Sequence, residues 1–72
     1  MTPFFLRMRD EFDNPVFVNV PSVFCFKHSE ESHSNTMVIM NSGDVLKVKD
    51  DIEDIFRRIP GEWQNLFPKQ TY

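Results

Sequence analysis

The stretch from Thr36 to Ile59 constrains this chain more than any other, because each of its boundaries carries a chemical mark. TMVIM and VLKV are short apolar, partly β-branched runs, and Asn41-Ser42-Gly43-Asp44 between them puts a glycine where a tight turn needs a positive φ. The pattern predicts two strands, over 36–40 and 45–48, joined as a hairpin. Asp50 and Glu53 then have the spacing of a capping box, and Asp51 and Asp54 add negative charge at the positive end of the helix dipole. Ile52, Ile55, Phe56 and Ile59 recur at i, i+3, i+4 and i+7, Arg57 and Arg58 suit the negative end, and Pro60-Gly61 stops the run. A helix over 51–59, capped by Asp50, is expected.

The preceding half alternates with period two. Phe4, Leu6 and Met8 oppose Phe5, Arg7 and Arg9. After the turn chemistry of Asp13-Asn14-Pro15, Val16, Val18 and Val20 oppose Phe17 and Asn19. These two strands predict a first hairpin. Pro21 lacks the amide a central strand must donate, so Pro21-Ser22 interrupts the ladder before a third strand over 23–27. There strict alternation sets Phe24 and Phe26 on one side and Val23, Cys25 and Lys27 on the other. HSEESHSN, residues 28–35, contains no apolar side chain and reads as a solvated loop. Trp63, Leu66 and Phe67 have helical spacing within a tail over 60–72. The expected fold is α+β: one small domain over 1–72, with an antiparallel sheet of four to five strands over 4–48, a helix over 51–59 and a short aromatic tail.

Seventy-two residues hide only roughly 60% of the surface the unfolded chain exposes, so such a domain is marginal without added support. Cys25 is the only cysteine, which excludes an internal disulfide and fits a reducing, cytoplasmic setting. No charged and apolar leader is visible, and no apolar run approaches the roughly 18 residues that cross a bilayer, so a soluble protein without a membrane partner is expected. The net charge of -3, with acids clustered over 50–54, repels phosphate and makes nucleic acid an unlikely partner.

The side chains able to do chemistry have structural explanations. His28, Glu30, Glu31 and His33 are metal-ligand types, but they sit in a serine-rich loop without a nearby cysteine, so no metal is assigned. Cys25 and His28 lie three apart in or next to a strand, where their side chains diverge; a thiolate nucleophile with an imidazole base is not expected. The acids over 50–54 are accounted for by capping and the dipole. No catalytic residue, cofactor or metal is therefore assigned, and the chain is not expected to be an enzyme.

Aromatic residues make up 14% of the sequence. A single helix covers one face of a sheet, yet apolar side chains fall on both faces, and an uncovered apolar patch marks an interface. Phe5, Phe17, Cys25, Met40 and Trp63 are the candidate interface residues, and self-association as a homo-oligomer or binding to a protein partner is the expected use. Alternatively, the tail over 63–72 folds across that face.

The order V-F-V-N, V-F-C-F, V-I-M-N-S-G and V-L-K-V-K-D-D-I-E-D-I-F-R-R-I resembles the small flagellar FlbD-like family, which includes swarming-motility proteins, over Phe4 to Ile59. The resemblance implies a non-enzymatic accessory that acts on motility machinery through protein contacts. The strand-hairpin-strand-helix ending is also similar to LytTR-type regulatory domains. That likeness would make the chain a DNA-binding regulator with Arg7, Arg9, Lys27 and Lys47 on phosphates, although their basic loops are missing here. Composition also allows a third class, a phage-type inhibitor of a host protein.

Overall fold

The computed structural model describes residues 4–64. Five strands, β1 (Phe5–Arg9), β2 (Pro15–Asn19), β3 (Val23–His28), β4 (Thr36–Met40) and β5 (Val45–Val48), precede helix α1 (Ile52–Arg58) and a single helical turn, α2 (Gly61–Gln64). This is the expected α+β arrangement of antiparallel strands with a helix near the C-terminal end. The strands divide between two sheets, β1-β2 and β3-β4-β5. A 3-10 turn, Val20–Ser22, separates them, with Pro21 in its first positions where a missing amide is harmless. The sheets meet at a corner where Asp10 bridges Val48 and the Lys49 amide donates to the Arg9 carbonyl at 2.8 Å. Of the expected tail over 60–72, Leu66 and Phe67 lie outside the described residues.

The core is filled from three sources. Leu6, Met8, Val18 and Val20 come from the first hairpin and its exit, Val23, Phe26, Val38 and Val48 from the second sheet, and Ile52, Ile55 and Ile59 from the apolar stripe of α1. Phe56 completes the stripe edge-on to Phe26, with ring centroids 5.4 Å apart.

One core assignment differs from strict alternation. Val23 pairs with Met40 but Cys25 pairs with Ile39, so Phe24 is an extra residue in a β-bulge. The bulge resets the phase: Val23 and Phe26, three apart, both face the core, while Phe24 turns outward and is 59% exposed.

The helix start also differs from the expected capping box. Asp51, not Asp50, occupies the cap position, and its side chain makes no capping bond. Asp50 is drawn elsewhere. One carboxylate oxygen accepts the Arg9 amide at 2.8 Å and the other accepts the Arg58 guanidinium at 2.8 Å. Arg58 reaches on to the Arg7 carbonyl at 2.7 Å and meets Asp54 at 3.3 Å. Asp50 accepts the Thr36 hydroxyl on its own carbonyl at 2.6 Å. The competing partner prevails because it joins three elements, whereas a cap joins neighbours in sequence only.

Two contrasts test these placements by chemical denaturation. Phe26→Ala is expected to cost about 3–5 kcal/mol of stability, whereas Phe24→Ala costs less than ~0.5 kcal/mol. Asp50→Ala should cost about 2–3 kcal/mol through loss of charge-assisted bonds to Arg9 and Arg58, and Asp51→Ala less than ~0.5 kcal/mol. Equal effects within either pair would contradict the bulge or the tie.

Candidate protein interface

The register of the first hairpin decides which groups face outward. Phe5 lies opposite Asn19, Arg7 opposite Phe17, and Arg9 opposite Pro15. Directly paired residues share a face, and Leu6, Met8 and Val18 on the other face are buried. The outer face therefore carries Phe5, Arg7 and Arg9 beside Asn19, Phe17 and Pro15. Phe5 and Phe17 are diagonal neighbours on it, with Arg7 between them, and are 60% and 68% exposed. Phe12, in the turn of the same hairpin, is exposed as well. That turn is held by the Asp10 carboxylate, which accepts the Phe12 and Asn14 amides at 2.9 and 2.8 Å, while Asp13 takes a positive φ of 67°.

The other three candidate residues lie elsewhere. Cys25 sits on the outer side of β3 in a row with Ile39 and Val45, but it is buried rather than exposed. Met40 shares its rung with the core residue Val23, so it points inward and is half-buried against the core. Trp63, half-buried on α2, packs against the core, and its ring lies 5.8 Å from that of Phe4. Phe5 and Phe17 are brought together; Cys25, Met40 and Trp63 are not part of their surface. Phe12 and Phe24 were the exposed aromatics that period-two reading missed. An aromatic inside a turn was the available signal for the first, and no local signal marks the bulge that exposes the second.

The polar clusters are engaged in structure. The loop over 29–35 carries several hydrogen bonds of its own. Ser29 and Ser34 hydroxyls meet at 2.8 Å, the Ser29 amide donates to the Asn35 carbonyl at 3.0 Å, and the Asn35 side chain donates to the Lys49 carbonyl at 2.6 Å. Glu31 accepts Lys47 at 2.6 Å. Among the described residues no group of three or more His, Cys, Asp or Glu is placed to hold a metal. His33 lines a shallow recess of about 220 Å³ with Glu11, Ser32, Ser34, Asn35 and Lys49. That volume lies below the roughly 300–1,000 Å³ usual for ligand pockets.

The four basic residues of the DNA-binding alternative are spread over both sheets: Arg7 and Arg9 on β1, Lys27 on β3 and Lys47 on β5. Arg9 lies 3.7 Å from the Asp13 carboxylate and donates to the Asp13 carbonyl at 2.9 Å, and Lys47 is held by Glu31. Among the described residues, no helix is long and apolar enough to cross a membrane. No family model, curated protein or solved structure matches the chain, so the site is read from its own geometry.

The Lys47–Glu31 contact makes a titration prediction. The hydrogen bond to Glu31 is the main influence holding the Lys47 ammonium above its ordinary pKa of 10.5. A raised folded value means that this contact's stabilisation is complete below the unfolded pKa and is lost as pH rises through the folded one. NMR titration of Lys47 should place its midpoint above 10.5, and Glu31→Gln should bring it back toward that value. An unchanged midpoint in the variant would remove Glu31 as the cause.

Proposed function

We propose that this chain is a small non-enzymatic adaptor or regulatory protein that acts by protein–protein association through the outer face of the β1-β2 hairpin. The observation that carries the reading is the diagonal placement of Phe5 and Phe17, both more than half exposed, beside Arg7 on one face of a two-stranded sheet. A single exposed phenylalanine is ordinary, but neighbouring aromatics with an arginine have the composition in which interface centres are enriched. Their presentation is rigid, because the backbone beneath them is fixed by the hairpin ladder and by the Asp50–Arg58 tie. The resemblance to FlbD-like proteins points the same way, toward contacts with other proteins, and the lone Cys25 suits a reducing, cytoplasmic setting for them.

Two of the four acids at the start of the helix are committed to ties within the fold. Asp50 holds β1, and Asp54 meets Arg57 and Arg58, each at 3.3 Å. This commitment supports a binding role over an enzymatic one. The dispersal of Arg7, Arg9, Lys27 and Lys47 supports a protein partner over nucleic acid.

Affinity capture with the full chain and with a Phe5→Ser/Phe17→Ser variant tests the reading. The wild type should retain a defined protein, which a second copy of the chain would satisfy, and the variant should lose it. The variant's unfolding free energy should stay within about 1 kcal/mol of wild type, because both rings face solvent. Retention of the same protein by the variant, or salt-sensitive retention of nucleic acid in place of protein, would overturn it.

A further inference from the structure

The first hairpin has two outer edges, and they are treated differently. The Val20 amide donates to the Phe4 carbonyl at 2.8 Å and the Asp10 amide to the Asn14 carbonyl at 2.9 Å, which fixes the hydrogen-bonded rungs of the ladder. Leu6, Met8, Val16 and Val18 consequently spend their backbone groups inside the hairpin, while those of Arg7, Arg9, Pro15, Phe17 and Asn19 point away from it. On β1 the outward carbonyl of Arg7 and both outward groups of Arg9 are engaged: Arg58 donates to the Arg7 carbonyl, Asp50 accepts the Arg9 amide, and Lys49 donates to the Arg9 carbonyl. On β2 no hydrogen bond among the described residues engages the outward amide or carbonyl of Phe17.

We infer that a second copy of this chain pairs with the open edge of β2, antiparallel and about a two-fold axis at Phe17, extending the hairpin into a four-stranded sheet across two molecules. The inference rests on the association reading and specifies its partner and geometry. Phe17 is the middle residue of Pro15–Asn19, so the axis sets Phe17 against its copy and Pro15 against the copy's Asn19. Two bonds join the Phe17 residues, and each Asn19 amide can donate to the other chain's Pro15 carbonyl. The bond that would complete each outer rung needs a Pro15 amide, which does not exist. Its would-be acceptor, the Asn19 carbonyl, is already committed, since Asn19 caps the 3-10 turn Val20–Ser22 and a cap residue's carbonyl takes the first bond of the turn. The missing donor thus faces the occupied acceptor, a match that this symmetric register provides.

Charge favours the same edge. Pro-Val-Phe-Val-Asn carries no ionised side chain, so no like charges meet across the axis, whereas the outer edge of β5 presents Lys47. Phe17 and the strand edge bury only a few hundred Å² in total, well under the roughly 1,200 Å² of a stable interface, so the dimer is weak and forms with rising concentration.

Sedimentation velocity of the wild type over a wide concentration range, amide hydrogen exchange at the same concentrations, and cysteine trapping test this together. Phe17→Cys and Phe5→Cys are each made with Cys25→Ser. A hydrogen-bonded antiparallel rung sets Cα atoms about 5.5 Å apart, within disulfide reach, so Phe17→Cys should cross-link about tenfold faster than Phe5→Cys, which lies one strand further from the axis on each side. The Phe17 and Asn19 amides should also exchange more slowly as concentration rises. Phe17→Asp should weaken self-association by about tenfold or more, since two carboxylates would meet at the axis. Cross-linking of Phe5→Cys at an equal rate would replace edge pairing with face-to-face stacking and leave the association reading standing. A wild type that stays monomeric at millimolar concentration, with concentration-independent exchange, would overturn self-pairing. The association reading itself fails on a different result, retention of a captured protein by the Phe5→Ser/Phe17→Ser variant.

Discussion

The Asp50–Arg58 pair holds the molecule together because it acts where the backbone ladder stops. Backbone pairing between the two sheets stops at the Asp10–Val48 corner, leaving the outer edge of β1 without a strand partner. The carboxylate and the guanidinium supply the acceptor and donor that a strand would have supplied, at 2.8 Å to the Arg9 amide and 2.7 Å to the Arg7 carbonyl. Both side chains are partly shielded, at 17% and 34% exposed, so the charges are less screened than in an open surface pair. Arg58 lies in the last turn of α1, and Asp50 lies between β5 and that helix. One ion pair therefore fixes the strand edge, the linker and the end of the helix together, and with them the angle at which Ile52, Ile55 and Ile59 enter the core.

The Thr36–Ile59 stretch was legible because its instructions are local. Gly43 takes a positive φ of 95° in the turn after Met40, and the isoleucine stripe of α1 is buried as its spacing requires. The inward set Leu6, Met8, Val18 and Val20 was equally plain, since period-two alternation holds wherever a strand is regular. What escaped was non-local. The bulge at Phe24 exchanges the roles of Val23 and Phe24, and no residue there announces it. Asp50 had the correct spacing for a cap but found partners on β1, 41 residues away in sequence for Arg9. The division into two sheets likewise depends on how the strands turn about the core, which pattern alone does not encode.

The candidate surface was legible in part for the same reason. Phe5 and Phe17 could be assigned to the outer face from alternation within their own strands. Placing Cys25, Met40 and Trp63 required knowing the neighbours: Met40 follows the phase set by its rung with Val23, and Trp63 follows the route of the chain after Pro60, which brings it to Phe4. The polar loop over 29–35 lies mostly in solvent, as its composition indicates, and its serine hydroxyls bond backbone and one another over short spans.

Marginal stability and an open strand edge are linked in a domain of this size. Such a chain gains little from its core beyond what conformational entropy takes away, and among the described residues α1 is the one helix longer than a single turn with which to cover two sheets. The helix is committed to the inner faces, and its terminal arginine to the edge of β1, so the outer face and far edge of the first hairpin receive no cover from it. A partner that engages only the folded state would stabilise it by mass action, in proportion to the logarithm of partner concentration. Association of the proposed kind would then also help keep the chain folded, because the surface left over by economy of secondary structure is the one that it would cover.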